Sequence, residues 1–275
     1  MWLANNSGPF EIYNLEIKVG IPKPIRVLHV SDIHFAPKQQ AKAKFLSELA
    51  ALEPDLVVNT GDNLGHKDAI NPCLTALEPL MAFPGVFVNG SNDYRAPSFR
   101  NPLKYFFGPS TVSDRRDLET SRFTSELEGH GWLNLNNHSG SIEINGLKLG
   151  FIGLDDPHEN LDNIASLSEQ RQAIGDVDLL LGVAHAPYLR VIEALTQQGA
   201  GLIFAGHTHG GQICLPGKKA LVTNCDLPTE YAQGLSAWSF DNKESVLHVS
   251  AGIGCSIHAP LRLFCPPSAT LLTIS

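Results

Sequence analysis

The segment LIFAGHTHGGQ, residues 202–212, carries the clearest fold signal in the chain. Its first four residues are apolar and β-prone and they end at a glycine, which is typical of a buried strand. Two histidines that are two positions apart, His207 and His209, follow at once. The rest of the sequence repeats this unit, a short apolar strand that ends in polar side chains.

Five further apolar runs have the same form. We predict buried strands at residues 25–30, 56–59, 86–88, 147–154 and 179–184. Apolar residues at helical spacing predict helices over 38–52 and 187–198. Alternating apolar residues around an Asn-Gly pair predict a hairpin over 142–149. Strands that alternate with helices indicate an α/β fold, and the hairpin makes its sheet mixed.

Composition narrows the class of protein. The 275 residues are 43% hydrophobic and 17% charged, which is ordinary for a globular protein, and one domain over 1–275 is expected. The formal net charge of −8 argues against a protein that coats duplex nucleic acid. No run approaches 18 apolar residues, and residues 1–24 form an N-terminal extension that lacks the features of a signal peptide. The five cysteines have no CxxC spacing, which is typical of free thiols in a reducing compartment. The cytoplasm is therefore the expected location.

The polar clusters after the strands supply a candidate site. Because sites in open α/β sheets form at the carboxyl ends of strands, we expect these clusters to converge. The candidate ligands are Asp32, His34, Asp62, Asn92, His185, His207 and His209. Carboxylate, amide oxygen and imidazole are ligands of Zn, Mn or Fe. The DxH and HxH pairs are expected to place alternate side chains on one side of an extended segment. Seven ligands suit two ions better than one, with one carboxylate shared.

The ordered set of motifs resembles the calcineurin-like metallophosphoesterase superfamily. The matching stretches are DxH at 32–34, GD at 61–62, GSND at 90–93, AH at 184–185 and GHTH at 206–209. The longer GHTHGGQ, residues 206–212, is similar to one bacterial subgroup, whose members often begin with a membrane helix. The resemblance implies that such a helix would lie just before the first residue of this sequence. The resemblance implies a four-layer αββα sandwich with two mixed β-sheets and a dinuclear metal centre.

The resemblance also implies a role for each ligand. The first ion would take Asp32, His34 and His209. The second would take Asn92, His185 and His207, and Asp62 would bridge the two. Two divalent ions (Mn, Fe or Zn) would then supply the attacking hydroxide, so no side-chain nucleophile is needed.

One motif departs from the family pattern. The usual third motif is GNHD, whereas residues 90–93 read GSND. If GSND is aligned with GNHD position by position, Ser91 takes the place of the ligand Asn. Asn92 then replaces a histidine thought to protonate the leaving group. We expect Asn92 to be the ligand, through a local backbone adjustment, with Ser91 as the alternative. The missing acid favours phosphodiester or pyrophosphate substrates over monoesters, and its possible substitutes are His66, Tyr94, His158 and His258.

Several other polar residues are given more modest interpretations. Asp93 is expected to brace its loop. The cluster at 155–158 either supports the site from behind the ligands or forms only a turn. The remaining histidines are expected to be structural or solvated: His29, His130, His138 and His248.

Residues 94–125 are predicted to form a lid or insertion. The stretch 94–107 holds five aromatic residues together with Arg95, Arg100 and Lys104, and no acid occurs between Asp93 and Asp114. Its aromatic residues either pack on the body of the protein or contact an amphiphilic substrate or a membrane surface. Tyr94 and Arg95 are the candidate substrate-binding residues.

Together these features predict a dinuclear phosphohydrolase that cleaves a phosphodiester or pyrophosphate bond in a small-molecule or lipid-linked substrate, with peripheral membrane contact. Two other interpretations stay open. One is a nucleotide phosphodiesterase or phosphomonoesterase, and the other is a non-catalytic scaffold on the same fold.

Overall fold

The computed structural model describes residues 3–97 and 116–275. It confirms the predicted α/β class. In chain order the strands are β1 (Leu3–Asn5), β2 (Glu11–Ile17), β3 (Ile25–Val30), β4 (Leu56–Asn59), β5 (Gly85–Phe87), β6 (Leu133–Asn134), β7 (Ser139–Ile144), β8 (Leu147–Gly153), β9 (Leu179–Val183), β10 (Leu202–Ala205), β11 (Cys214–Leu215), β12 (Lys219–Ala220), β13 (Gly234–Phe240), β14 (Lys243–Val249), β15 (Leu261–Leu263) and β16 (Ser268–Ile274). The α-helices are α1 (Gln40–Glu48), α2 (Ile70–Leu77), α3 (Ser91–Tyr94), α4 (Thr120–Gly129), α5 (Leu167–Ile174) and α6 (Leu189–Gln197).

Two six-stranded sheets dominate the fold, and both are mixed. The first has the order β2-β16-β3-β4-β5-β6, in which β16 runs antiparallel to β3 and the other neighbours are parallel. The second has the order β13-β14-β10-β9-β8-β7, with antiparallel pairs at its two edges. Two-stranded ribbons, β1-β15 and β11-β12, lie outside the main sheets.

Successive side chains along each strand point to opposite faces of its sheet, and this alternation divides the core into three layers. In β10, Phe204 packs between the two sheets, and its neighbour Ile203 packs against the helices on the outer face. Helices α1, α2 and α4 cover the first sheet, and α5 and α6 cover the second. The predicted αββα sandwich is therefore confirmed.

Most predicted elements occur with shifted ends. The helix predicted over 38–52 divides into α1 and a 3-10 helix at Leu49–Leu52. The 3-10 helix ends at Leu52, because Glu53 adopts φ 46° and Pro54 cannot continue the helix. The predicted extension, residues 1–24, contributes β2 at the edge of the first sheet.

The division into one domain with a lid at 94–125 stays a prediction. Residues 98–115, which include Arg100 and Lys104, lie outside the described residues. Within 3–97 and 116–275, no helix combines the length and the apolar character needed to cross a membrane.

Candidate metal centre

The polar loops after the strands meet at one edge of the sandwich. The predicted extended geometry of the DxH and HxH pairs is wrong, because Asp32, His34, His207 and His209 all have positive φ, between 43° and 68°. Asp62 has φ 55°. Non-glycine residues in the left-handed region are strained and cluster at functional sites, where the surrounding structure holds them in place. These tight turns bring the side chains together.

Four of the predicted ligands form one compact group. Among the described residues, the ligand atoms of Asp32, His34, Asp62 and His209 all lie within 4.8 Å of one another. His34 Nε2 lies 3.2 Å from His209 Nε2 and 3.4 Å from Asp62 Oδ2. His209 Nε2 lies 3.6 Å from Asp32 Oδ1. This group could hold a metal ion, and it contains the three residues expected at the first ion.

The other predicted ligands lie around the same Asp62 carboxylate. His185 Nε2 is 3.7 Å from Asp62 Oδ1. Asn92 donates to the same carboxylate twice, from its backbone N at 2.8 Å and from Nδ2 at 2.7 Å. The His207 ring lies edge-on to His185, with centroids 5.2 Å apart. Its Nε2 lies 3.3 Å from the carbonyl of Asn224 and 3.4 Å from Nδ2 of the same residue, so Nδ1 is the ring nitrogen that Asn224 does not contact. Asp62 thus lies between the two groups, where a bridging ligand is expected.

The chemistry of these donors fits bound cations. His185 Nδ1 lies 2.7 Å from the Thr60 carbonyl and therefore carries a proton. Burial alone would lower the pKa of His185, but Asp62 and Asp156 outweigh it and raise that pKa to about 9, so a bound cation would take the place of the second proton, on Nε2. That Nε2 is buried, and it has no hydrogen-bond partner among the described residues. Two imidazole nitrogens that face each other at 3.2 Å, as in His34 and His209, also need a proton or a cation between them. A pair of divalent ions would satisfy both arrangements.

The carboxylates of the site differ in their electrostatic setting. Burial alone would raise the pKa of Asp62, but His185, His34 and the hydrogen bonds from Asn92 outweigh it and hold that pKa below its usual range. Burial is also the main influence on Asp32 and raises its pKa to about 6. Asp62 is therefore the carboxylate that stays ionised most readily, as a shared ligand must be.

Comparison with known proteins agrees with this geometry. Residues 25–211 match the family model described as calcineurin-like phosphoesterase. The chain belongs to this family. The predicted superfamily, a class of metal-dependent phosphate-ester hydrolases, is thereby confirmed.

Individual relatives are distant. The Bacillus subtilis protein YpbG is 26% identical over 193 residues, which cover 69% of this chain and 63% of YpbG. The uncharacterized metallophosphoesterase YkoQ of the same organism is 28% identical over 210 residues, 74% of this chain and 68% of YkoQ. A solved dimetal phosphatase from Danio rerio has a TM-score of 0.46 and 14% identity, and the match covers 84% of this chain and 88% of that one. The chain thus spans less than two thirds of YpbG.

The third family motif is held on α3, at the end of β5. Asp93 accepts hydrogen bonds from the backbone N of Asn63 at 2.8 Å and of Gly90 at 3.0 Å, which confirms its predicted bracing role. Asn92 donates to Asp62 directly, whereas Ser91 lines the neighbouring cavity. This placement favours Asn92 as the ligand of the pair.

Glycine is required where the motifs approach one another most closely. A Cβ on Gly90 would lie 2.3 Å from Asp62 Oδ1, and a Cβ on Gly206 would lie 1.9 Å from Ser31 Oγ and 2.5 Å from Asp32 Oδ2. The glycines of the GSND and GHTH motifs therefore allow two loops to pack against the proposed ligands.

A cavity of about 440 Å³ adjoins the proposed ligands. Of the possible proton donors, His158 and His258 line it and His66 does not. The His158 ring lies 4.6 Å from the His207 ring, and its Nδ1 is 3.0 Å from the Tyr188 hydroxyl. His258 Nε2 is 3.4 Å from the carbonyl of Pro97.

The two candidate substrate-binding residues are tied to the 155–159 loop. The Tyr94 hydroxyl donates to Asp155 Oδ1 at 2.6 Å, and burial, followed by Asp155, raises the Tyr94 pKa. Arg95 lines the cavity and pairs with Glu159. Asp156 accepts from the backbone N of His158 at 2.9 Å, so the 155–158 cluster both forms a turn and places His158 beside a proposed ligand.

Two buried cations near the site were missed by the sequence argument. Lys42 on α1 donates to the carbonyls of Ile33 at 2.7 Å and His34 at 3.2 Å. Arg262 on β15 donates to the carbonyl of His209 at 3.2 Å and contacts His209 Nδ1 at 3.1 Å. A lysine at helical spacing with Phe45 and Leu46 was the available signal for Lys42, while Arg262 had none.

Proposed function

We propose that this protein is a divalent-metal-dependent phosphohydrolase that cleaves a phosphodiester or pyrophosphate bond. The observation that carries the proposal is the position of Asp62 between two groups of buried donors, His34 on one side and His185 on the other. Asp32 and His209 complete the first proposed ion site, and Asn92 and His207 complete the second. Two divalent ions would lower the pKa of a bound water and polarise the phosphate.

The residues of the chain prepare this chemistry in a defined way. Backbone and side-chain donors fix the carboxylates, so little reorganisation is needed when substrate binds. The hydrogen bond between His185 Nδ1 and the Thr60 carbonyl fixes that ring and its tautomer. The GSND motif contains no histidine that could protonate the leaving group, which supports a substrate whose leaving group needs little help.

The lining of the cavity supports an uncharged, partly apolar group on the substrate. Outside the proposed ligands, Arg95 is its only described side chain with a permanent charge, and Arg95 is paired with Glu159. The remaining lining includes Pro97, Ile213, Val222, Ala259, Pro260 and Leu261. We therefore propose a phosphodiester with one apolar substituent, and a lipid-linked phosphate is the candidate that fits this surface.

Three exposed leucines extend the apolar surface, and one of them, Leu261, lines the cavity. On the β1-β15 ribbon, Leu3 pairs with Leu263, and Leu261 projects from the same face of β15. Leu3 is 57% exposed, Leu261 52% and Leu215 on β11 51%. An apolar rim of this kind is suited to peripheral contact with a lipid surface.

The GHTHGGQ segment supports the proposed relation to the bacterial subgroup. Gln212, its last residue, donates to the carbonyls of Ala259 at 2.8 Å and Leu261 at 3.0 Å. The motif thus joins the proposed ligands to the loop that forms the apolar wall. We also propose a cytoplasmic location, in keeping with the free thiols of Cys73, Cys214, Cys225, Cys255 and Cys265.

Paired substrates test the proposal. With Mn²⁺ added, wild type should hydrolyse a soluble aryl phosphodiester and a vesicle-embedded lipid phosphodiester and should prefer both to the matched monoesters. The double substitution Leu3→Asp/Leu215→Asp should lower turnover in vesicles at least tenfold without changing that of the soluble diester. Leu235→Asp is the control, because Leu235 is exposed on β13 and does not line the cavity.

The other outcomes separate the competing interpretations. A preference for monoesters or nucleotides would overturn the proposed substrate class. Equal effects of the leucine substitutions on both diesters would overturn the lipid-linked proposal alone. The absence of any turnover would favour a scaffold on the same fold.

A further inference from the structure

A chain of buried side-chain hydrogen bonds links the second sheet to the proposed ligand Asp32. His248 on β14 contacts His29 on β3, with their Nδ1 atoms 2.8 Å apart, and His29 Nε2 lies 2.9 Å from Thr60 Oγ1. Thr60 Oγ1 donates to Ser31 Oγ at 2.6 Å, and Ser31 Oγ donates to Asp32 Oδ2 at 2.6 Å. All five side chains are buried.

The donor and acceptor of every hydrogen bond in this series follow from the Asp32 carboxylate at its end. Ser31 must use its only proton on the Asp32 carboxylate, so its oxygen accepts from Thr60. Thr60 has then used its own proton and must accept from His29, which places the His29 proton on Nε2. Because His29 is buried and neutral, its Nδ1 has a lone pair and accepts from the Nδ1–H of His248. The structure thereby assigns opposite tautomers to the two histidines.

This series of hydrogen bonds determines the orientation of the Asp32 carboxylate. Oδ2 receives hydrogen bonds from Ser31 at 2.6 Å and from the backbone N of His207 at 3.0 Å, and the same N also lies 3.2 Å from Oδ1. Oδ1 lies 3.6 Å from His209 Nε2. With Oδ2 fixed by two donors, Oδ1 faces the other proposed ligands.

Thr60 connects this chain to the second half of the site. Its hydroxyl acts on Asp32 through Ser31, while its carbonyl lies 2.7 Å from His185 Nδ1. Thr60, the residue after β4, therefore contacts the proposed ligand His185 directly and the proposed ligand Asp32 through Ser31. Groups that orient metal ligands in this way typically contribute about 10–100-fold to metal affinity or activity.

We propose that Thr60 is a positioning residue that, through Ser31, holds the Asp32 carboxylate in its metal-binding orientation, and that His29 and His248 set the polarity of the chain. This inference rests on the proposed metal centre. A purely structural role would instead affect only the stability of the fold.

Metal affinity distinguishes the two roles. We would measure Mn²⁺ and Zn²⁺ binding to the full chain by competition with a chromophoric chelator, together with the urea unfolding midpoint of the metal-free protein. Thr60→Val should weaken metal binding about tenfold, and Ser31→Ala should weaken it by at least as much. Thr60→Ser keeps the hydroxyl and should bind metal with wild-type affinity. Because Thr60 acts through Ser31, adding Thr60→Val to Ser31→Ala should cause little further loss.

Thr196→Val is the matched control. Thr196 on α6 is also fully buried, and its hydroxyl bonds to the carbonyl of Ile192 and to Ser245, both at 2.7 Å. Its replacement should lower stability and leave metal affinity unchanged. Wild-type affinity in Thr60→Val, or additive losses in the double variant, would overturn the inference.

The tautomers provide a second readout that needs no metal. Nitrogen chemical shifts of the metal-free wild type should show His29 protonated at Nε2 and His248 at Nδ1. The reverse assignment would overturn the proposed polarity. Failure of wild type to bind either metal would instead overturn the proposed function. The tautomer measurement would still test the series of hydrogen bonds independently.

Discussion

At the scale of single residues, the proposed site depends on left-handed turns at Asp32, His34 and Asp62, which bring their loops together. The motifs predicted Asp32, His34 and Asp62, and these side chains do lie together. Their left-handed turns could not be predicted, because neither aspartate nor histidine requires positive φ. The packing of Gly206 against Ser31 also depends on loops that are far apart in sequence.

Gly206→Ala tests this close packing. The added Cβ would lie 1.9 Å from Ser31 Oγ and 2.5 Å from Asp32 Oδ2, so either the loop or the carboxylate must move. We expect a loss of about 1–3 kcal/mol in the free energy of unfolding, measured in urea, and a large loss of diester turnover. The control is Gly129→Ala at the end of α4, where a Cβ meets nothing within 4 Å. An unchanged turnover in Gly206→Ala would contradict the packing account.

At the scale of elements, apolar runs predicted strands such as β3 and β10 closely, because both faces of these strands are buried. The polar supports of the loops were harder to predict. Lys42 is at a core-facing position of α1 and Arg262 is in the middle of β15, and both donate to loops that carry proposed ligands. A sequence pattern does not show which carbonyls such a cation will meet.

Lys42→Met tests the support that α1 gives to the 31–34 loop. Methionine fills similar volume but leaves the buried carbonyls of Ile33 and His34 without this donor. We expect the free energy of unfolding to fall by about 1–3 kcal/mol and Mn²⁺ affinity to decrease. Lys44→Met, on the exposed face of the same helix, should change neither. Equal behaviour of the two variants in urea unfolding and metal titration would contradict this role.

At the scale of the whole molecule, the site forms where the two sheets meet. His29 and His248 were expected to be structural or solvated, and their burial between the sheets confirms the structural role for this pair. Their contact could not be predicted, because no sequence pattern shows which strands of the two sheets face each other. His130 and His138 are exposed, as the solvated alternative predicted.

The buried histidine pair predicts a pH dependence of stability. Burial is the main cause that lowers the pKa of His29 well below its ordinary value and the pKa of His248 to about 3. Below about pH 6.5 the unfolded chain binds protons that the folded chain does not, so stability falls as pH falls. We would measure unfolding in the presence of a metal chelator. Between pH 6 and pH 5, the free energy of unfolding of His248→Gln should fall by about 1 kcal/mol less than that of wild type.

The control for this experiment is the exposed His130. Urea unfolding of His130→Gln should follow the wild-type pH dependence. If His248→Gln also kept the wild-type dependence, the pair would not be buried in its neutral form.

The most direct test of the account is the metal content of the purified protein, measured together with its turnover of bis-p-nitrophenyl phosphate, for wild type and Asp62→Asn. Asp62 is the carboxylate placed between both proposed ion sites. We predict two divalent ions per chain and Mn²⁺-supported turnover in wild type, and a loss of both in Asp62→Asn. Wild-type protein that binds no metal and hydrolyses nothing after Mn²⁺ is added would contradict the central claim.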